Sequence, residues 1–275
     1  MIDMNKQTEN SHKIAIIGMS CRMPGADSIN QFWSNLVNGV ESLTEFSDEE
    51  LRAAGVDEVL IQSPNYVRSR GIINGAEYFD AAFFGITPRD AEIMDPQHRI
   101  FLECAWHAME DAGYTEEKPA QRIGVFGGTG VNWHLLSTTN HPEVTKYASG
   151  TSIVTGNDKD YVSTRVSYKL NLTGPSLTVQ CACSTSMVAV VMGVNSLLSY
   201  QSDMVLAGGA TIELPERQGY LYREGGLESS DGHCRTFDKE ADGTVFSRGA
   251  GVVLLKRYDE AVQDGDDIYA VMLGR

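Results

Sequence analysis

Two thiols stand one residue apart in the stretch Val179-Gln-Cys-Ala-Cys-Ser-Thr-Ser-Met187, within a chain of 275 residues that has five cysteines, at 21, 104, 181, 183 and 234. A thiol can act as a nucleophile, a metal ligand or half of a redox pair, or it can be a small buried hydrophobe. A structural zinc site needs four ligands, and no Cys or His other than these two lies between His141 and His233. The residues after Cys183 place it. Met187, Val190, Val191, Val194, Leu197 and Leu198 recur at helical spacing, which predicts a helix over 184–198, and Val188 and Ala189 make it apolar nearly all round, which predicts a buried one. Ahead of it, residues 177–180 are strand-like, so Cys183 falls where a strand turns into the first turn of a helix. Unpaired N–H groups and the positive end of the helix dipole favour a thiolate there. The same groups can hold the oxyanion formed when a thiolate attacks a thioester carbonyl. Ala182, Ser184, Thr185 and Ser186 are small and leave room for such a carbonyl.

The elements that position this turn alternate. Lys13-Ile-Ala-Ile-Ile-Gly18 has the continuous apolar run of a strand covered on both faces. From Asp90 to Gly113 the apolar positions Ile93, Ile100, Phe101, Cys104, Ala105, Ala108 and Met109 predict a long amphipathic helix, with Asp95-Pro96 in a first turn and Gly113 as its stop. Arg122–Phe126 is a strand leading into Gly127-Gly-Thr-Gly130. Residues 155–170 form a helix, with Val162, Val166 and Leu170 on one face, that ends before Gly174-Pro175. Residues 204–207, 249–255 and 268–272 add strands. Strands interleaved with helices indicate an α/β layered fold. Residues 1–11 are polar and aperiodic and read as a flexible lead-in, with the folded part starting at His12. The chain reaches Arg275 directly after a strand with no helix to cover it, which predicts that it belongs to a larger folding unit.

With 37 acidic against 22 basic residues the formal charge is −15, which disfavours broad binding to nucleic acid or an anionic membrane. Scattered cysteines in odd number and the lack of a secretory signal point to the cytoplasm, and no apolar run approaches the roughly 20 residues of a membrane helix. Other motifs have plainer readings. Gly127-Gly-Thr-Gly130 lacks the full dinucleotide-binding spacing and is sufficient as a tight turn. Asp158, Lys159 and Asp160 can pair with Arg165 or lie solvated, Asp231-Gly232 is a turn, and Asp238 with Asp242 lacks any second feature of acid–base catalysis.

Ten stretches together resemble one family: Ile14-Ala-Ile-Ile-Gly-Met-Ser-Cys-Arg-Met-Pro-Gly25, Phe32-Trp33 with Asn38-Gly39, Phe79-Asp-Ala-Ala-Phe-Phe-Gly-Ile-Thr-Pro-Arg89, Met94-Asp-Pro-Gln97, Glu110-Asp-Ala-Gly113, Arg165-Val-Ser-Tyr168, Gly174-Pro-Ser176, Ala182-Cys-Ser184, Asp231-Gly232 with Phe237-Asp238, and Gly251-Val-Val-Leu-Leu-Lys256. In this order they resemble the beta-ketoacyl synthase (ketosynthase) domains of modular type I polyketide synthases. The likeness spans residues 12–275, as the N-terminal portion of such a domain lacking its C-terminal half. It implies a thiolase-like layered α/β/α/β/α fold, incomplete here, and a homodimer. Gly156-Asn-Asp-Lys-Asp160 and Val179-Gln180 resemble the trans-acyltransferase and hybrid assembly lines more than those with built-in acyltransferases.

The resemblance implies that Cys183 is the catalytic nucleophile, taking an acyl chain from the phosphopantetheine arm of an acyl carrier protein. Malonyl on a second carrier protein then loses CO2, and the resulting carbanion attacks the Cys183 thioester. No metal or directly bound cofactor is implied. Cys181 stands where the family usually has Thr, and Gln180 where it usually has Asp, so Cys181 reads as a supporting residue. Cys in place of Gln at 183 disfavours the decarboxylase-only loading type. The family's two catalytic histidines, supporting lysine and second oxyanion donor belong to the half that is absent here. None of the six histidines has the family setting: His12 is at the tail junction, His98 and His107 lie on a helix face, His134 and His141 in a loop, and His233 in a structural stretch. The missing half, in cis or in trans, would complete an elongating synthase. A transacylating, non-elongating synthase or a non-catalytic half-domain for docking or dimerisation are the alternatives.

Overall fold

The computed structural model describes residues 12–115, 121–214 and 217–273; the expected lead-in over 1–11 lies outside them. Tertiary contacts divide the chain into two compact units, one of Met1–Cys21, Ala76–Thr211 and Ala250–Arg275, the other of Arg22–Gly75 and Ile212–Gly249.

The first unit is built on a six-stranded sheet of β1 (Ile14–Arg22), β5 (Ile123–Thr129), β6 (Ser176–Thr178), β7 (Met204–Thr211), β9 (Gly249–Arg257) and β10 (Ala270–Met272). Their order across the sheet is β10-β1-β9-β7-β5-β6. β5 runs parallel to both β6 and β7, and β10 pairs antiparallel with β1 through Ile14 and Met272. The helices are α4 (Pro88–Ile93), α5 (Pro96–Asp111), α6 (His134–Asn140), α7 (Pro142–Tyr147), α8 (Gly150–Asn157), α9 (Tyr161–Lys169), α10 (Thr185–Leu198) and α11 (Tyr258–Asp264).

Strand alternation puts a helix on each face. A Cβ on Gly127 would lie 2.3 Å from Phe101 Cζ of α5, whereas one on its neighbour Gly128 would meet Thr185 Cγ2 of α10 at 2.6 Å. α5 therefore covers one face and α10 the other. The expected turn at Gly127-Gly-Thr-Gly130 is instead strand through Thr129, because these glycines serve close helix approach and not a change of chain direction. The α10 side of the core gathers Ile14, Phe126, Val179, Ala189, Leu197, Val205, Ala207 and Leu255.

Three expectations are corrected. The long helix from 90 is two, split where Met94 turns extended and Asp95 caps α5 through the Gln97 N–H. The helix expected over 155–170 is α8 and α9, broken because Asp158 turns extended and its carboxylate accepts from the Asp160 N–H at 3.1 Å. Arg165 donates to the Thr155 carbonyl, so the charged triplet 158–160 takes the solvated reading for Asp158 and Asp160, both exposed. α10, expected to be buried all round, is buried only at Ala189, Gly193, Ser196 and Leu197, with Met187 and Val191 at least half exposed, since among the described residues the sheet covers one face alone.

Lys256 of β9, though charged, is 2% exposed as a side chain. Its ammonium donates to Tyr114 Oη at 2.8 Å and Asp266 at 2.7 Å and also bonds Asp264, tying the end of α5 to the loop after α11. Here three acceptors replace the lost hydration of the cation.

In the second unit, α1 (Ile29–Val37), α2 (Asp48–Ala53) and α3 (Glu58–Ile61) accompany two small antiparallel sheets, β2 (Thr44–Glu45) with β4 (Ser69–Arg70) and β3 (Tyr66–Val67) with β8 (Tyr220–Leu221). Phe46, Leu51, Ile61 and Ile72 form its main core. Gly232 sits at φ +83°, as a turn at Asp231-Gly232 requires. Asp242 accepts from Ser229 and Ser230, and Asp238 from the Glu240 N–H, so both carboxylates are occupied in holding loops.

Candidate active site

β6 ends at Thr178, and the Val179 N–H still donates to Gly127 O at 2.8 Å, keeping the chain against β5. Beyond Gln180 the backbone turns sharply. Ala182 takes φ +50°, a left-handed conformation that costs an L-residue about 1–2 kcal/mol and survives because its surroundings fix it. Ala182–Ser184 is a single 3-10 turn that runs into α10. Its bonds converge on Cys181: the carbonyl accepts from Ser184 N–H (3.2 Å) and Ser184 Oγ (2.8 Å), and the N–H donates to Thr185 Oγ1 at 2.9 Å. The Thr185 N–H closes on Ala182 O. The helix expected from Ser184 thus begins one residue later, with a tighter turn before it.

This arrangement leaves Cys183 exposed at the head of a helix, and among the described residues its own N–H has no partner. Sulfur and N–H lie on the same residue, so a carbonyl attacked by the thiol has a donor for its oxygen beside it. Cys181 is exposed too, but its backbone organises the turn. Cys21 and Cys104 are buried, and burial pushes the Cys21 thiol up in pKa.

Two supports for the turn are not evident from the sequence. Gln180, in the amide orientation that satisfies both partners, donates to Thr129 O at 3.1 Å and accepts from Thr129 N–H at 3.3 Å, clasping the end of β5. Behind that end lies a buried polar group. Gln97 accepts from Gly130 N–H at 2.8 Å and donates to Val131 O at 3.3 Å and to Asp95 at 3.0 Å. Asp95 N–H donates to Gly156 O, and Asn157 Nδ2 donates to Ile93 O at 2.8 Å. Loss of solvent around Asp95 raises its carboxyl to about 6, although the Gln97 bonds act against this. The sequence signal for this group was polar residues on an apolar stripe: Gln97 shares a helix face with Phe101, Cys104 and Ala108.

His98 is enclosed with neither ring nitrogen bonded, and burial, then the nearby Arg165 cation, hold it down at about 3. His107 pairs with Glu110 at 3.0 Å, His134 with Glu92 O at 3.0 Å and His233 with Glu41 at 2.7 Å. His134 and His141 are not in an open loop: one begins α6 and the other caps α7, where Pro142 supplies the preset first helical φ. Among the described residues no group of three or more His, Cys, Asp or Glu side chains is placed to hold a metal, and no helix is long and apolar enough to cross a membrane.

Residues 11–261 match the family described as beta-ketoacyl synthase, N-terminal domain. The chain belongs to the beta-ketoacyl synthase family. It is similar to a phenolphthiocerol/phthiocerol polyketide synthase polypeptide of Mycobacterium tuberculosis, with 46% identity over 268 residues, 95% of this chain and 18% of that protein. Polyketide synthase PksN of Bacillus subtilis is 43% identical over 95% of this chain and 5% of its own length. Among solved structures, ketosynthase twelve of the bacillaene polyketide synthase from Bacillus amyloliquefaciens superposes with a TM-score of 0.87 at 42% identity, covering 95% of this chain and 46% of that one. The module 1 ketosynthase of the bacillaene synthase gives 0.81 at 36% identity, over 97% and 46%. The chain therefore spans under half of the solved ketosynthases and a small part of the synthase polypeptides, and its fold is the N-terminal portion of the thiolase-like ketosynthase architecture.

Proposed function

We propose that this chain carries the acyl-accepting half of a polyketide ketosynthase, with Cys183 as the nucleophile. The observation that supports it most is the exposed Cys183 sulfur at the head of α10, beside its own unpartnered N–H. The sulfur attacks the thioester carbonyl of an acyl group on the phosphopantetheine arm of an acyl carrier protein. A new C–S bond forms, the Cys183 N–H takes a share of the oxyanion, and collapse breaks the old C–S bond and releases the carrier thiol. Elongation by a malonyl-loaded carrier needs proton and oxyanion groups that we assign to further polypeptide, in cis or in trans. A homodimer in the cytoplasm, within a trans-acyltransferase or hybrid assembly line, completes the proposal; the likeness to bacillaene ketosynthases is in keeping with that setting.

Incubation with an acyl-loaded carrier protein followed by intact mass measurement tests it. The expected adduct equals the acyl group, is lost in Cys183→Ala and persists in Cys181→Ala. No adduct, even with the complementary polypeptide supplied, refutes acyl transfer and leaves the non-catalytic reading. An adduct that the malonyl carrier never extends in the complete domain identifies the non-elongating type.

A further inference from the structure

We propose that Cys181 is a resolving thiol for Cys183, so that an oxidised nucleophile is captured as a reversible Cys181–Cys183 disulfide. Both cysteines are free and exposed. Two residues fully extended reach about 7 Å between Cα atoms, and a disulfide accepts about 4.4–6.8 Å. The segment is far from extended: Ala182 lies at φ +50°, and the Ser184 N–H returns to Cys181 O at 3.2 Å, closing a tight turn around the intervening residue. The bonds from Thr185 Oγ1 and Ser184 Oγ to the Cys181 backbone hold the pair in this curl without using either sulfur. A threonine at 181, the residue usual in ketosynthases, would have no sulfur to offer.

The chemistry needs a peroxide as oxidant. The Cys183 thiolate attacks the peroxide O–O bond; an S–O bond forms, the O–O bond breaks, and the departing oxygen leaves as hydroxide or alkoxide and takes a proton. Cys183 is oxidised by two electrons to the sulfenic acid and the peroxide is reduced. Cys181 sulfur then attacks the Cys183 sulfur; the S–S bond forms, the S–O bond breaks, and hydroxide leaves with the proton from Cys181 as water. Without a neighbour, the sulfenic acid proceeds with more peroxide to the irreversible sulfinic acid. A ring closed over one residue is strained, which keeps its disulfide within reach of cellular thiol reductants. The inference uses the same exposed Cys183 as acyl transfer but no carrier protein, so the two readings fail separately.

The test treats reduced protein with hydrogen peroxide, blocks remaining thiols by alkylation and maps the tryptic peptide that runs from Leu170 to Arg217, whose only cysteines are 181 and 183. The wild type is expected to yield this peptide unalkylated and lighter by about 2 Da, the loss of two hydrogens. After dithiothreitol it should regain alkylation at both positions. Cys181→Thr and Cys181→Ser, each checked for native far-UV circular dichroism, should accumulate sulfinic acid at Cys183 and recover about tenfold less free thiol there. Sulfinic acid at Cys183 of the wild type to the extent seen in the variants, a disulfide joining two chains, or an unoxidised Cys183 would each overturn the proposal.

Discussion

An alanine methyl at position 128 would lie 2.0 Å from the Val179 carbonyl oxygen and 2.6 Å from Thr185 Cγ2. The first neighbour is backbone and cannot rotate away, so β5 and the segment leading to Cys183 must separate by more than an ångström. That movement breaks the Val179 N–H to Gly127 O bond, now 2.8 Å. Overpacking of this kind costs about 1–3 kcal/mol and the lost hydrogen bond about 0.5–1.5, together roughly 2–4 kcal/mol. For a chain of this size the melting temperature should fall by roughly 4–8 °C, read by circular dichroism. The same shift displaces the Cys183 turn relative to its support, and a misplacement near 1 Å can slow chemistry on the order of 100-fold. Acylation of Cys183 in Gly128→Ala should therefore slow well beyond what the lost stability explains. Gly150→Ala is the matched control, because its methyl meets nothing within 4 Å and lies at the first position of α8; it should be neutral or slightly stabilising. If Gly128→Ala melts and acylates like Gly150→Ala, strand-to-turn contact does not hold Cys183 in place.

Gln180→Ala removes both bonds to the Thr129 backbone and should cost about 1–2 kcal/mol, with slower Cys183 acylation but unchanged reaction at Cys234 toward a thiol reagent. Asp95 has its carboxyl raised to about 6 by burial, so the fold binds its proton more tightly than the unfolded chain does. Its stabilising share is then full below about pH 4 and lost as pH rises through 6, so the stability of wild type relative to Asp95→Asn should fall by on the order of 2 kcal/mol across that window in urea titrations; a flat difference refutes this. His98, depressed to about 3, has the opposite slope: its share is full above about pH 6.5 and is lost as pH falls, so His98→Leu should flatten the acid limb. Lys256→Met strands the carboxylates of Asp264 and Asp266 and should cost about 2–4 kcal/mol in chemical denaturation, since only Asp266 is deeply buried with the lysine.

Much of the setting of Cys183 was legible because it is local. The helical spacing from Met187 to Leu198 and the strand-like segment from Leu177 before it lie in one continuous stretch, and they put Cys183 at an elbow that the structure also shows, with the helix starting one residue later than expected. What was illegible depends on residues distant in the chain. Gly127 and Gly128 read as a turn because glycine permits turns, yet their reason is Phe101 on one face and Val179 with Thr185 on the other, which no local pattern contains. The split after Ile93 was partly visible in Asp95-Pro96, a capping residue followed by a helix-starting proline. His98 was read as a helix-face residue and does lie on α5, but whether such a face meets solvent or the interior is a tertiary fact.

The distribution of order around Cys183 follows from the same geometry. The Cys183 sulfur is exposed, and the groups that back its turn range from the exposed Ser184 and Gln180 and the half-buried Thr185 to Gln97 and Asp95, both buried, at Gly130. A left-handed alanine at 182 persists only where its surroundings fix it. Disruption of this backing should thus act on Cys183 through the backbone, changing the rate of acylation more than the binding of the carrier. Mutations at the exposed rim, such as Met187 or Val191, should change binding instead. The contrast between Gln180→Ala and Met187→Ser in rate against carrier concentration separates the two: the first lowers the maximal rate, the second raises the carrier concentration needed to reach it.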